Sequence, residues 1–290
     1  MIDSSRIGKI VNQAILERQL SEFYCKGDTC KGWERNVVTQ PVTVKKIIDA
    51  GAARISAGIG IGNELTDAEL AHKIDHTLLK PDATIDEITL LCNEAAKYKF
   101  ASVCVNPCYV PLCSQLLRGS GVKVCTVIGF PLGSTTTAVK RAEAEEAIAA
   151  GAEEIDMVIN IGKLKSGDYK YVFTDVQQVV LAAKPKRLIT KVILETCLLT
   201  DEEKIKACLI CKEAGADFVK TSTGFSKSGA TVQDVALMKY VVGSSVMVKA
   251  SGGIRTHEDA IAMIESGADR IGASASVKIV TGQKDTGGGY

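Results

Sequence analysis

From about Ala71 onward the chain repeats one unit eight times: a short run of β-branched and apolar residues, then a longer stretch of helical periodicity. The candidate strands are 73–77, 102–105, 123–128, 154–158, 188–194, 218–221, 246–250 and 270–273. A run that is apolar at nearly every position has no side for water, so its sheet needs cover on both faces. Parallel strands joined by right-handed helical crossovers obtain that cover. Eight such units predict an α/β protein built as a (β/α)8 TIM barrel, preceded by a mainly helical N-terminal extension. The expected division is an extension over 1–66, a barrel over 67–281 and a flexible tail over 282–290.

The helix ends carry matching punctuation. Thr200 with Glu203 reads as a capping box, and Thr231 and Thr256 read as N-caps, each with an aspartate three residues on. Ile205, Cys208 and Leu209 form an apolar stripe in a helix over 202–214 that ends at Gly215. Ala150-Gly151-Ala152, Ala214-Gly215-Ala216 and Ser266-Gly267-Ala268 each close a helix and lead into a strand, with glycine supplying the left-handed cap. A fourth copy, Asp49-Ala50-Gly51-Ala52-Ala53-Arg54-Ile55, lies in the extension and matches Glu265-Ser266-Gly267-Ala268-Asp269-Arg270-Ile271. It reads as the same local solution reached twice, with duplication as the alternative. Residues 16–23 read as a helix, Trp33 is the only tryptophan, and the extension reads as an oligomer contact or a cap beneath the barrel. A doubly wound sheet is the rival architecture, but neither G-x-G-x-x-G after a candidate strand nor G-x-x-x-x-G-K-[ST] occurs.

Composition narrows the function. With 46% hydrophobic and 24% charged residues, the chain is that of a globular enzyme with a sizeable core. A net charge of +1 gives no electrostatic case for a nucleic-acid or membrane partner. No apolar run reaches the roughly 18 residues of a membrane span. The start, MIDSSRIGKIVNQ, has no apolar core of a secretory signal, so a cytoplasmic location is expected. There the ten cysteines read as reduced thiols, and Cys208 and Cys211, though a C-x-x-C, sit on one side of a helix. His72, His76 and His257 have no ligand spacing, so neither a metal nor a cofactor is expected.

In a barrel, active sites are built at the C-terminal ends of the strands. Asp75, Cys104, Asn106, Asp156, Lys191, Glu195, Lys220 and Lys249 occupy such positions. In Val219-Lys220-Thr221-Ser222-Thr223-Gly224 and Val248-Lys249-Ala250-Ser251-Gly252-Gly253, a lysine follows an apolar β-former and precedes small, hydroxylated and glycine residues. Two unit charges about 4 Å apart at an effective dielectric of about 20 repel by roughly 4 kcal/mol. Side by side, the two lysines would therefore depress each other, one of them from about 10.4 to near 7. A neutral lysine attacks carbonyls and forms Schiff bases. Asp156, flanked by Ile155, Met157 and Val158, reads as a structural partner for a lysine or as a proton shuttle beside an imine, and the two are compatible. Lys220 taken alone also reads as a snorkelling strand-end lysine. With Lys249, Asp156 and Lys191 converging on it, the catalytic reading is favoured.

The loops after the seventh and eighth strands, Ser251-Gly252-Gly253-Ile254-Arg255-Thr256 and Ile271-Gly272-Ala273-Ser274-Ala275-Ser276, lie where many barrels hold a phosphate. Glycines there bare the backbone amides, Ser274 offers a hydroxyl and Arg255 a charge, so a phosphorylated substrate is expected.

These segments resemble the deoxyribose-phosphate aldolase family of class I aldolases. The matching motifs are Ile74-Asp75-His76-Thr77-Leu78-Leu79-Lys80-Pro81, Val103-Cys104-Val105-Asn106-Pro107 and Val127-Ile128-Gly129-Phe130-Pro131-Leu132-Gly133. They continue in order through Glu154-Ile155-Asp156-Met157-Val158, Lys191-Val192-Ile193-Leu194-Glu195-Thr196 and the two lysine segments, from about Leu70 to Val280. The resemblance implies Lys220 as the Schiff-base lysine, Lys249 as the neighbour that lowers its pKa, and Asp156 as the acid/base group acting through water. It implies a pocket lined by Asp75, Cys104, Lys191, Thr223 and Gly224, and phosphate contacts from Gly252, Gly253, Arg255, Gly272 and Ser274. The implied reaction is the reversible cleavage of 2-deoxy-D-ribose 5-phosphate to D-glyceraldehyde 3-phosphate and acetaldehyde, without metal or cofactor. Phe225 stands where some members carry a basic residue, which shifts phosphate binding here toward amides and Arg255. Some members end in a tyrosine that reaches the active site, a role open to Tyr290 beside that of an idle chain end. The partners expected are the phosphorylated sugar, acetaldehyde and further copies of the chain, as a dimer or tetramer.

Three other readings compete. A phosphosugar isomerase or transaldolase-like aldolase needs another base or a lysine on another strand. A non-catalytic sugar-phosphate-binding barrel predicts loss of Lys220, Lys249 or Asp156, all of which are present. A metal-dependent aldolase is disfavoured by the sparse histidines.

Overall fold

The computed structural model describes residues 65–282. The expectations for residues 16–23, Trp33, the fourth repeat copy at Gly51 and the terminal Tyr290 lie outside the described residues. Parallel strands β1 (Ile74–Leu78), β2 (Ser102–Val105), β3 (Lys123–Ile128), β4 (Glu154–Val158), β5 (Ile189–Ile193), β6 (Phe218–Lys220), β7 (Met247–Ser251) and β8 (Arg270–Ala273) close a barrel in sequence order, with β8 pairing back onto β1. The bounds of β2, β3, β4 and β8 are those expected, and the others differ by one residue at one or both ends. Strands β2 and β4 are buried at every position, as the unbroken apolar pattern requires.

The helices are α1 (Asp67–Ala71), α2 (Ile85–Tyr98), α3 (Val110–Leu116), α4 (Thr137–Ala150), α5 (Ile161–Lys165), α6 (Tyr169–Ala183), α7 (Asp201–Ala214), α8 (Val232–Val242), α9 (His257–Glu265) and α10 (Ser276–Thr281). Their starts follow from sequence. Thr84 with Glu87, Thr200 with Glu203 and Thr256 with Asp259 form capping boxes, and Thr231 accepts from the Asp234 amide. Each cap is worth about 1 kcal/mol. Helix α2 buries Ile88, Leu91, Cys92 and Ala95, the i, i+3, i+4, i+7 stripe of an amphipathic helix. In α7 the stripe is broader than expected. Ile205, Ala207, Cys208, Ile210, Cys211 and Ala214 are buried while Leu209 is half-buried, because α6 and α8 flank the helix on either side. The repeated glycines have φ of 110° at Gly151, 87° at Gly215 and 109° at Gly267, so each takes the left-handed turn into the next strand.

Most apolar side chains pack between the strands and the helical ring. A second, small cluster of Leu79, Cys104, Cys125 and Val127, with Phe130 against it, lies on the β1–β3 side. The remaining interior of the barrel holds charges.

Candidate active site

Strand side chains alternate between two faces, so residues two apart share one. The face containing Asp156 therefore also contains Glu154, and its partners on the other strands are Asp75, Cys125, Lys191, Lys220, Lys249 and Arg270. Asp156 is the hub. Its Oδ2 accepts from Lys220 Nζ at 2.7 Å and Lys249 Nζ at 2.8 Å, and its Oδ1 accepts from Lys191 Nζ at 2.8 Å and the Cys125 thiol at 3.2 Å. Asp75 pairs with Lys249 at 2.5 Å and Arg270 at 2.6 Å, and Glu154 pairs with Lys191 at 2.5 Å and Arg270 at 3.5 Å. Asp75, Asp156, Lys191 and Lys249 are sealed from solvent, whereas Lys220 retains 3% exposure. Lys220 is also the lysine for which the contacts show a single carboxylate partner.

Four cations thus face three carboxylates, a surplus of one positive charge inside the barrel. Burial alone would raise Asp156, but Lys191, Lys220 and Lys249 more than offset it and hold the carboxyl well below its usual range. Asp75 is likewise held low, with burial opposed by Lys249, Lys191 and Arg270. The expected mutual depression of the lysines does not hold for Lys249. Burial pushes its ammonium down, yet Asp156 and Asp75 beside it hold it above the ordinary lysine value. Carboxylates in direct contact outweigh a neighbouring cation, and the sequence reading counted only the cation.

The side chains of Asp75, Cys104, Asp156, Lys191, Lys220 and Lys249 lie together in one buried cluster. Cys104 and Cys125 are register partners whose sulfurs lie within 4.8 Å, and the neighbouring Cys125 draws the Cys104 thiol down while burial raises Cys125. Two expected polar residues serve the loops instead of the ion cluster. Asn106 donates to the Leu79 and Lys80 carbonyls beyond β1, at 3.2 and 3.3 Å. Glu195, at φ 58°, turns to accept from the Thr223 hydroxyl at 2.5 Å, which fixes the loop after β6 ahead of Gly224. Phe225 in that loop is 52% exposed and meets Phe130 edge-to-face at 5.3 Å, bridging the loops after β3 and β6.

The glycine loops stand at the same end. Gly252 and Gly253 have φ of 84° and 79°, and Gly229 packs so tightly that a Cβ on it would lie 2.0 Å from the Gly252 oxygen. Ser274 is exposed beyond β8. Arg255 is also exposed, and its amide and that of Thr256 donate to Asp259 at 3.0 and 3.1 Å. Gly272 has a task the sequence reading did not assign, since a Cβ there would come within 3.0 Å of Lys249 Cε and Ser251 Cβ. It gives the lysine room.

Sequence reasoning missed Cys125, Glu154 and Arg270. The period of two marks Glu154 from Asp156 and Arg270 from Gly272, but both stand at the N-terminal ends of their strands, away from the mouth. Cys104, Cys125 and Asp156 also bring two sulfurs and an oxygen within 4.8 Å of one another. A cation there would compete with three ammoniums for Asp156 and meet Lys191 at 3.4 Å from the Cys125 sulfur, so this donor set suits ammonium groups. Among the described residues no helix is long and apolar enough to cross a membrane.

Residues 67–282 match a family model described as DeoC/LacD family aldolase. The chain is 62% identical over 219 residues to a deoxyribose-phosphate aldolase of Caldanaerobacter subterraneus subsp. tengcongensis, covering 75% of this chain and 95% of that protein. It is 61% identical over 215 residues to a deoxyribose-phosphate aldolase of Clostridium perfringens, covering 74% of this chain and 96% of that one. A solved structure described as the unique tetrameric structure of deoxyribose phosphate aldolase from Aeropyrum pernix superposes with a TM-score of 0.71 at 36% identity, covering 82% of this chain and 96% of that chain.

Proposed function

The chain belongs to the DeoC/LacD family of aldolases, and on that footing we propose that it reversibly cleaves 2-deoxy-D-ribose 5-phosphate to D-glyceraldehyde 3-phosphate and acetaldehyde through a Schiff base on Lys220. The observation that carries this reading is the pair of contacts at one oxygen: Lys220 and Lys249 both bind Asp156 Oδ2, at 2.7 and 2.8 Å. Lys249 keeps that oxygen compensated when Lys220 gives up its proton, so the free amine forms without stranding a buried carboxylate.

In the cleavage direction the Lys220 amine attacks C1 of the open-chain sugar, and loss of water leaves an iminium. Asp156, held as a carboxylate, accepts the C3 hydroxyl proton through water. The C2–C3 bond breaks, its electron pair flows into the iminium to give an enamine, and C3 becomes the aldehyde of the phosphotriose. Protonation at C2 and addition of water then release acetaldehyde and free Lys220. Water lost in the first step is regained in the last. Lys191 binds Oδ1 of the hub and Asp75 holds Lys249 on it, and Cys104, Thr223 and Gly224 line the sugar's path. The amides of Gly252, Gly253 and Gly272, with Ser274 and Arg255, take the phosphate. This activity fits deoxyribose phosphate catabolism in the cytoplasm. A homo-oligomer, dimer or tetramer, is in keeping with the tetrameric Aeropyrum pernix structure.

The test is borohydride reduction in the presence of acetaldehyde and EDTA, followed by peptide mass mapping. A two-carbon adduct on Lys220, absent from Lys220→Ala together with all turnover, is the expected result. Folded wild-type protein with no adduct on any lysine would return the isomerase and binding-barrel readings.

A further inference from the structure

At its mouth end β4 loses a neighbour. Its last pair with β3 is Ile128↔Met157, whereas Val158 pairs with Ile193 of β5 alone. Beyond Ile128 the chain turns away at Gly129, with φ 62°. Lys140 of α4 fills the vacated flank, its side chain 0% exposed. Its Nζ donates to the Val158 carbonyl at 2.9 Å and is ion-paired with Asp175 of α6. Thr137 donates to the other oxygen of Asp175 at 2.9 Å. Glu143, one turn beyond Lys140, accepts from the Gly129 amide at 2.7 Å. A Cβ on Gly129 would lie 2.9 Å from Lys140 Cε, so the glycine clears the path of the lysine stem.

A fully buried ion pair is a poor device for stability, because desolvation offsets most of the attraction. Burial indeed draws the Lys140 ammonium below its ordinary value despite Asp175. Methionine and leucine would fill the volume without that penalty. They cannot donate a hydrogen bond from a fixed anchor to the strand end. That strand end stands two residues beyond Asp156, which holds three ammoniums at 2.7–2.8 Å.

We infer that Lys140, anchored by Asp175, is a positioning residue that holds the mouth end of β4 and so keeps the Asp156 carboxylate in register with Lys220. The inference rests on the Schiff-base reading of Asp156 and Lys220. Displacements of about 1 Å at reacting groups cost up to about a hundredfold in rate, so the effect belongs in kcat.

Lys140→Met and Lys140→Met/Asp175→Leu are compared with wild type in thermal melting, steady-state cleavage of deoxyribose 5-phosphate and borohydride trapping. The single variant loses Tm and kcat. The double variant, freed of the unpaired carboxylate, regains Tm while kcat stays about tenfold or more below wild type and KM moves by less than about threefold. A double variant with wild-type kcat, or with its loss in KM instead, overturns the inference. Should neither fold, Glu143→Ala decides, since it leaves the buried pair intact and frees Gly129 from α4. A kcat lowered about threefold at unchanged Tm supports the role, and an unchanged kcat refutes it. Wild type that is not trapped on Lys220 removes the aldolase reading itself, whereas trapped wild type beside full-rate variants removes this inference alone.

Discussion

Asp156 binds three ammonium groups with two oxygens, and its low proton affinity is their joint effect. Removing one of them changes the hub in a definite direction. In Lys249→Met the carboxyl loses a cation that holds it down, so its affinity for protons rises and it grips the Lys220 proton more firmly. The pH optimum of kcat/KM accordingly moves up, by about one unit if roughly 1.4 kcal/mol of attraction is lost. A pH–rate profile with an unmoved optimum would remove Lys249 from that role. A second change acts on Lys249 without deleting it. Gly272→Ala places a methyl 3.0 Å from Lys249 Cε and Ser251 Cβ, so the lysine stem beside Asp156 and Asp75 must give by a few tenths of an ångström. The expected result is a kcat lowered about tenfold with Tm changed by only a few degrees, read by steady-state kinetics and calorimetry. Unchanged kcat would show that the stem yields at no expense to the hub.

At the scale of elements, the site is a set of strand ends joined by loops that lock onto one another. The Ala230 amide donates to both the Ser251 and Gly252 carbonyls, at 3.1 and 3.0 Å, and Ser251 Oγ donates to the Ser222 carbonyl at 2.6 Å. The loop after β6 therefore shapes the loop after β7. Gly229→Ala drives a methyl into the Gly252 oxygen, and Gly252 has to move. KM for deoxyribose 5-phosphate should rise about tenfold or more, while unphosphorylated deoxyribose is turned over as before; an equal effect on both would place the phosphate elsewhere. Most strands were legible in the sequence because β-branched and apolar residues dominate them and several are bounded by a left-handed glycine, as at Gly151, Gly215 and Gly267, whereas β2 starts after a left-handed Lys99 and ends at Asn106-Pro107. Their inward charges were legible only near the mouth, where the barrel rule directs the search. Glu154 and Arg270 lie at the opposite strand ends. Lys140 stands in TAVKRAEAEEAIAA, a helix whose composition reads as a solvated face. Only its pairing with Asp175, 35 residues on, reveals a buried group, and no periodicity encodes that pairing.

Across the whole molecule, a chain of net charge +1 keeps a surplus cation inside its barrel, so overall charge says little about the site. The internal carboxylates also tie the stability of the fold to pH. Asp75 and Asp156 are held below their ordinary value of 3.8, so below that value the unfolded chain binds more protons than the folded one. Their contribution is fully present above about pH 4 and is lost as the pH falls through the folded values. Asp75→Asn removes one such group and leaves Lys249 and Arg270 short of a counter-charge. Near pH 6 the variant should be less stable than wild type by about 3 kcal/mol in urea unfolding. The gap should hold down to about pH 4 and narrow progressively below it, because the unfolded wild-type chain then protonates Asp75 while the folded one does not. A gap that stayed constant to pH 2 would mean that Asp75 is not held low by its cations. A gap that instead widened as the pH fell from 6 to 4 would show a folded Asp75 of raised proton affinity, stabilised by its own protonation.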